Sequence, residues 1–212
     1  MMKDGDGVYT RLTGQGISHG TETFTLHVAA SLIAITMQEA RDGGQPVTVG
    51  LALEPWELRA LFLDLFPGAV QLLDDVQGEP GEPEDDERAL RDILWYHAAG
   101  TGRFERMLAK MIARRCQRPN HLWQDLGLGN RSQLGLLMQR YFPVLASRNV
   151  SDMKWKKFFY RTMCSSTGFT MCTAPVCSEC DDFDACFGPE DGESLLAAVP
   201  DDRPIRAWEA RL

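Results

Sequence analysis

No stretch of the chain runs to the roughly 18 consecutive apolar residues that a membrane-spanning helix needs, so no spanning segment is expected. The first thirty residues also lack a charged start followed by an apolar run, the pattern of a secretory signal, and the expectation is a soluble, cytoplasmic protein. There is no internal repeat, no Gly-rich phosphate loop, no Gly-x-Ser-x-Gly elbow and no His-Glu-x-x-His helix. The common nucleotide-binding, esterase and zinc-protease signatures are therefore missing. Basic residues are in deficit, with 22 Lys and Arg against 30 Asp and Glu, a formal net charge of −8. A protein whose main partner is a nucleic-acid backbone needs the opposite balance on one face, so neither nucleic acid nor membrane is expected as a partner.

What is present is an ordinary globular composition, 44% hydrophobic and 25% charged, in 212 residues. That length buries a sizeable core without covalent staples, so the six cysteines are not needed for stability. In a cytosolic setting they point to metal or redox chemistry rather than disulfides.

Along the chain the dominant period is helical, and the expected fold class is mainly α, an irregular helical domain with a C-terminal cysteine-rich metal-binding loop. Residues 1–20, with Gly5, Gly7, Gly14, Gly16 and Gly20, read as a mobile start. A single helical domain is expected over 21–191 and a tail over 192–212, with a turn or two of helix possible from Ser194 to Val199. Phe24, Val28, Leu32 and Ile35 recur at helical spacing before Gly43-Gly44. Val47 to Leu53 alternates weakly and suggests extended chain, after which Glu54-Pro55 opens a helix with Trp56, Leu58, Leu61, Phe62 and Leu65 inward. Residues 74–87 read as a solvated acidic linker.

Two helices are expected next, one with Leu90, Ile93, Leu94 and His97 on its apolar face, one with Phe104, Met107, Leu108, Met111 and Ile112, ending at Arg114 and Arg115. Asn120 to Gly127 reads as a short Asn-capped helix, Asn130 and Gln133 as a capping box, and Pro143 as a breaker. A further helix, capped by Asn149 or Ser151, buries Trp155, Phe158, Phe159 and Met163 and sets Lys154, Lys157 and Arg161 along another face.

The candidate site is the loop 172–186, where Cys172, Cys177, Cys180 and Cys186 fall in the pattern C-x4-C-x2-C-x5-C. Structural zinc sites usually pair two short knuckles across a dozen or more intervening residues, and there is no second knuckle here. One continuous loop can instead wrap a cubane iron–sulfur cluster, whose corners are farther apart. Both zinc and the cluster suit soft thiolate donors. Glu179, Asp181, Asp182, Asp184, Glu190 and Asp191 surround these thiols, and no Lys or Arg lies between Cys172 and Gly192. An empty loop would suffer strong self-repulsion, so ordering on metal loading is expected. Lys154, Lys157 and Arg161 offset that charge, attract an oxyanion, or are simply a solvated face. Cys164 reads as structural, with a fifth exchangeable ligand as the other reading, and Cys116 as incidental. His121 reads as a cap, or as an imidazole binding a vertex not taken by sulfur.

The run Asp152-Met-Lys-Trp-Lys-Lys-Phe-Phe-Tyr-Arg161, then Cys164, Gly168-Phe and Cys172-x-Ala-Pro-x-Cys177-x-x-Cys180-x-Asp-Phe-x-x-Cys186-Phe-Gly188, resembles the C-terminal part of the NifQ family of the nitrogen-fixation system. His121-Leu-Trp-x-Asp-Leu-Gly127 and Tyr141-Phe-Pro-x-Leu-Ala-x-Arg-Asn149 are similar to that family's middle segment. The resemblance covers roughly residues 120–190. It implies that Cys172, Cys177, Cys180 and Cys186 hold an iron–sulfur cluster, Mo-Fe-S or 4Fe-4S, able to carry molybdenum. It further implies a carrier rather than an enzyme, with no catalytic residues, that draws on molybdate or a molybdenum–sulfur species and supplies the proteins assembling the nitrogenase iron–molybdenum cofactor.

Three rivals stand beside it. Helical DNA glycosylases of the endonuclease-three kind carry C-x6-C-x2-C-x5-C, but they need a Gly-rich hairpin and a basic face that are absent here. A zinc-binding interaction module and an iron–sulfur electron-transfer protein remain as alternatives.

Overall fold

The computed structural model describes residues 4–14, 22–167 and 183–196, and every described element is helical. The central element is α2 (Thr23–Arg41), buried almost continuously from Phe24 to Met37. A helix apolar on all sides belongs in the middle of a bundle, and the others are arranged round it. Helix α1 (Asp4–Gly14) packs along it and buries Val8, Tyr9 and Leu12. A mobile start is therefore not found over 4–14. Gly5 permits the contact, since a Cβ there would overlap Gln38 and Leu196.

Val47–Leu51 is a short helix, α3, rather than extended chain. Pro46 opens it and Ala52 closes it in the left-handed conformation, φ 55°, so local turn chemistry outweighs the weak alternation. Helix α4 (Pro55–Leu65) begins where Glu54-Pro55 predicts, with the Glu57 carboxylate accepting the Glu54 N–H at 3.0 Å. Leu58, Leu61, Phe62 and Leu65 are buried, but Trp56 is 65% exposed, because the first turn overhangs the core. A 3-10 turn, Pro67–Leu73, leads into an exposed acidic stretch.

That stretch stops at Glu84, since Asp85, Asp86 and Glu87 form the first turn of α5 (Asp85–Tyr96), where acidic side chains meet the positive end of the helix dipole. Glu87 is buried, paired with Arg91 and with Arg114 Nε at 2.7 Å. His97 lies past the helix end rather than on its apolar face, with Nε2 3.5 Å from Arg148. Helix α6 (Arg103–Cys116) buries Met107, Leu108, Met111 and Ile112 as expected, and packs on α3 and α5.

Arg115 closes the last turn of α6 as expected, but its side chain turns inward. It is 1% exposed and paired with Glu39 on α2. Helix α7 (Leu122–Asp125) is capped by His121, not Asn120, and joins α6 to α8 (Arg131–Tyr141), where Asn130 Oδ1 accepts the Gln133 N–H at 3.0 Å. Pro143 ends that run and opens α9 (Pro143–Arg148). Helix α10 (Trp155–Thr167) buries Trp155, Phe158, Phe159 and Met163 and packs against α5. A last helix, α11 (Phe183–Phe187), is followed by exposed chain that returns to the core at Leu196, which is fully buried. Residues 191–196 are irregular, and 197–199 lie outside the described residues.

Candidate metal centre

Of the four predicted ligands, Cys172, Cys177 and Cys180 lie outside the described residues, and Cys186 lies within α11. Among the described residues no three His, Cys, Asp or Glu side chains converge as a metal cage. What the structure shows is how the cysteine segment is held at its two ends.

The near end is α10, and its start is built by side chains. Asn149 Oδ1 accepts the Met153 N–H at 2.9 Å while Asn149 Nδ2 donates to the Met153 carbonyl at 2.8 Å. Asp152 takes the left-handed conformation, φ 50°, which Asp tolerates better than most residues. Lys154 then caps α10, its carbonyl accepting the Phe158 N–H at 2.9 Å.

The far end is fastened to this same point. The Lys154 N–H donates to the Cys186 carbonyl at 2.8 Å, and Lys154 Nζ donates to the Asp184 carbonyl at 2.9 Å. Both carbonyls belong to the last turn of α11, whose end favours a cation, and the Asp184 carbonyl also accepts the Gly188 N–H at 2.9 Å. Cys186 and Phe187 pack half-buried against the core, and the Phe183 and Phe187 rings stack at 4.7 Å.

A second fastener is Arg131, in the first turn of α8. It donates to the Asp152 carbonyl at 2.9 Å and to Asp152 Oδ1 at 2.8 Å, and its guanidinium also pairs with Glu190. One side chain thus ties the approach to α10 to the exit from the cysteine segment. The Glu190 side chain is only 3% exposed, and its other oxygen lies 3.3 Å from His121 Nδ1. Further along, Gln124 Nε2 donates to the Glu193 carbonyl at 2.9 Å, Ser194 Oγ to the Leu128 carbonyl at 3.0 Å, and Leu196 closes over Gly127.

Electrostatics follow from this seating. Burial, and then the charges of Lys154, Lys156 and Arg131, hold the His121 imidazole below its usual range, with Asp125 opposing them. The ring is therefore neutral near pH 7, and its side chain caps α7 by accepting the Gln124 N–H. Glu190 counted among the repelling acids in the sequence, but here it is neutralised by Arg131. Lys157 and Arg161 stay exposed on the face that Lys154 begins. Lys156 turns the other way, to Asp125 Oδ2 at 2.5 Å and the Asn120 carbonyl at 2.7 Å.

The remaining thiols differ in kind. Cys116 is buried, and burial pushes its thiol up to about 12, against a lowering by Lys156 and a smaller raise from Asp125. Cys164 is half-buried at the other end of α10 from the Lys154–Cys186 junction, roughly 15 Å along the axis. The chain-order reading missed Arg131 altogether and saw Glu190 only as loop charge. Nothing in their local spacing marks them, since their partners come from remote segments.

The family model of NifQ matches residues 28–188. The chain belongs to the NifQ family. Among curated relatives it is 37% identical to "Protein NifQ homolog" of Sinorhizobium fredii over 81% of this chain and 75% of that one. It is 36% identical to "Protein NifQ" of Rhodobacter capsulatus over 75% and 87% of the respective chains, and 34% identical to that of Klebsiella pneumoniae over 71% and 92%. No solved structure matches the chain. Membership of NifQ assigns the chain to nitrogen fixation, and the matched span runs from the middle of α2 to Gly188, so it takes in His121, Arg131, Lys154 and all four cysteines of the segment. Among the described residues no helix is long and apolar enough to cross a membrane.

A sulfide-bridged core on four thiolates would be net anionic, and at the described end of the segment the Lys154 ammonium donates to the Asp184 carbonyl, two residues before Cys186. The donor set is soft and all sulfur, which selects iron–sulfur or zinc over hard cations.

Proposed function

We propose that this chain is a metallocluster carrier that holds an iron–sulfur cluster on Cys172, Cys177, Cys180 and Cys186 and takes up molybdenum as an oxyanion or a derivative of it. It passes that molybdenum to the proteins assembling the nitrogenase iron–molybdenum cofactor. The observation that carries the reading is the C-x4-C-x2-C-x5-C spacing in a chain of the NifQ family, with its last cysteine tied by main chain to the start of α10. When bound, the cluster supplies sulfide edges on which molybdenum can sit.

The protein's own part is mechanical and electrostatic. Lys154 and Arg131 close the described ends of the segment on one another. Lys154, Lys157 and Arg161 give the anionic cargo an approach of opposite sign. Phe183 remains 42% exposed beside Cys186, so this end of the site stays open to a receiving protein.

The test is purification without oxygen, followed by iron, sulfide, molybdenum and zinc analysis with electron paramagnetic resonance. The expected outcome is iron and inorganic sulfide in near-equal amounts, with molybdenum acquired on incubation with molybdate and lost to an acceptor. Zinc without sulfide would make the chain an interaction module. A cluster that cycles reversibly and keeps its metal would make it an electron-transfer protein.

A further inference from the structure

The outer side of α4 is apolar where a surface helix should be polar. Its inner side buries Leu58, Leu61, Phe62 and Leu65, yet Trp56 is 65% exposed and Leu63 is 53% exposed. With about 100° of turn per residue, Trp56, Ala60 and Leu63 at i, i+4 and i+7 fall on one narrow stripe opposite the buried side. Exposed apolar residues scattered singly are ordinary, but a stripe that repeats the spacing of a buried face is a contact surface.

Arg59 borders the stripe, is exposed, and makes no ion pair among the described residues. The acids nearby on α4 are already engaged, Glu57 with Lys110 at 2.7 Å and Asp64 with Arg103 at 3.2 Å. In a chain of net charge −8 this face therefore carries an uncompensated cation. The backbone beneath it is fixed by the Glu54–Glu57 capping box and by the Glu57–Lys110 pair to α6. A helix displayed in this way loses little conformational freedom when something binds it.

We propose that the outer stripe of α4, Trp56, Ala60 and Leu63 with Arg59 beside it, is a docking surface for a second, different protein that offers a shallow apolar groove edged by carboxylates. Apolar anchors at i, i+4 and i+7 are the pattern by which a groove reads a helix, and the cation at the margin selects an acidic edge. Another copy of this chain fits the surface poorly. A twofold contact centred on Ala60 brings the two Arg59 side chains towards each other, like charge on like. One side of an 11-residue helix also falls short of the about 800 Å² per partner that a stable dimer buries. The stripe owes nothing to the cysteine segment, so it stands or falls apart from the carrier reading.

The experiment places p-benzoylphenylalanine at position 63 of the full chain in nitrogen-fixing cells, irradiates them, and sequences the cross-linked peptide by mass spectrometry. The expected product joins the chain to one other protein through a peptide that carries apolar residues beside Asp or Glu. Its yield should fall about tenfold in Trp56→Ala and in Arg59→Glu, and stay within about twofold in Arg59→Lys. Changing the identified acid of the partner to Lys should restore the yield in Arg59→Glu. The same reagent at position 150, where Val150 is 87% exposed after α9, should not give this product. Because the replaced side chains are exposed, circular dichroism and the urea midpoint of each variant should match the parent, which separates lost docking from lost folding. No product at position 63, a product with another copy of this chain, the same product from position 150, or a yield indifferent to Trp56 and Arg59 overturns the inference. So does a partner peptide without Asp or Glu.

Discussion

Lys154 and Cys186 are joined main chain to main chain, N to O at 2.8 Å, so the last cysteine of the segment has a backbone anchor that does not involve its sulfur. The sulfur can therefore be removed without undoing the anchor. Cys186→Ala, like Cys177→Ala and Cys180→Ala, is expected to lose most of the bound iron while far-ultraviolet circular dichroism stays nearly unchanged. Iron analysis beside the spectrum checks this, and variants that kept their iron would show the ligand assignment to be wrong.

Arg115 and Glu39 meet fork to fork, Nη1 to Oε2 at 2.7 Å and Nη2 to Oε1 at 2.8 Å, joining α6 to the central α2. Burial alone would raise the Glu39 carboxyl, but the hydrogen bonds and charges of Arg115 and Arg118 outweigh it and hold the group below its ordinary 4.5. A lowered carboxylate contributes stability above pH 4.5 that is lost as pH falls through the lower, folded value. Glu39→Gln leaves a buried guanidinium half-paired and should cost about 3 kcal/mol at pH 7. Denaturant unfolding at pH 7 and in acid should show the difference between variant and parent shrinking as Glu39 protonates.

Gly127 sits at φ +70°, and a Cβ there would come to 2.7 Å from the Ser31 carbonyl of α2 and 3.0 Å from Leu196. Gly127→Ala combines a disfavoured backbone conformation with a clash against main chain, and is expected to destabilise by about 2 kcal/mol or more. The urea midpoint should fall with the slope unchanged.

The Cys116 thiol, raised from 9.0 to about 12, holds roughly a thousandfold less thiolate at a given pH than an ordinary cysteine. Iodoacetamide at pH 8 should leave it unmodified in the folded protein and alkylate it once urea unfolds the chain. Peptide mass spectrometry distinguishes the two, and rapid native labelling would contradict the burial.

Much of the helical framework was legible in the chain because local chemistry decides it. The apolar spacing from Phe24 to Ile35, Pro55 behind Glu54, Asn130 ahead of Gln133 and the break at Pro143 each act within one turn or two of helix. The misreadings fall where distant segments decide. Val47 to Leu51 is the exception, a short helix set locally by Pro46 and the left-handed Ala52. Trp56 is exposed because nothing packs over the start of α4. Arg115 is buried because Glu39 and the Asp125 carbonyl await it.

The same division holds at the metal centre. Thiol spacing is a local property, so the order of residues by itself pointed to four cysteines as soft donors and determined the family to which the chain belongs. Only the tertiary structure decided that Glu190 lies against His121 and Arg131, and that Lys154 closes on Cys186. Those contacts join segments tens of residues apart, and they form only after α7, α8 and α10 have packed. No local pattern encodes them, because a buried carboxylate is stable only where the whole fold brings it a partner.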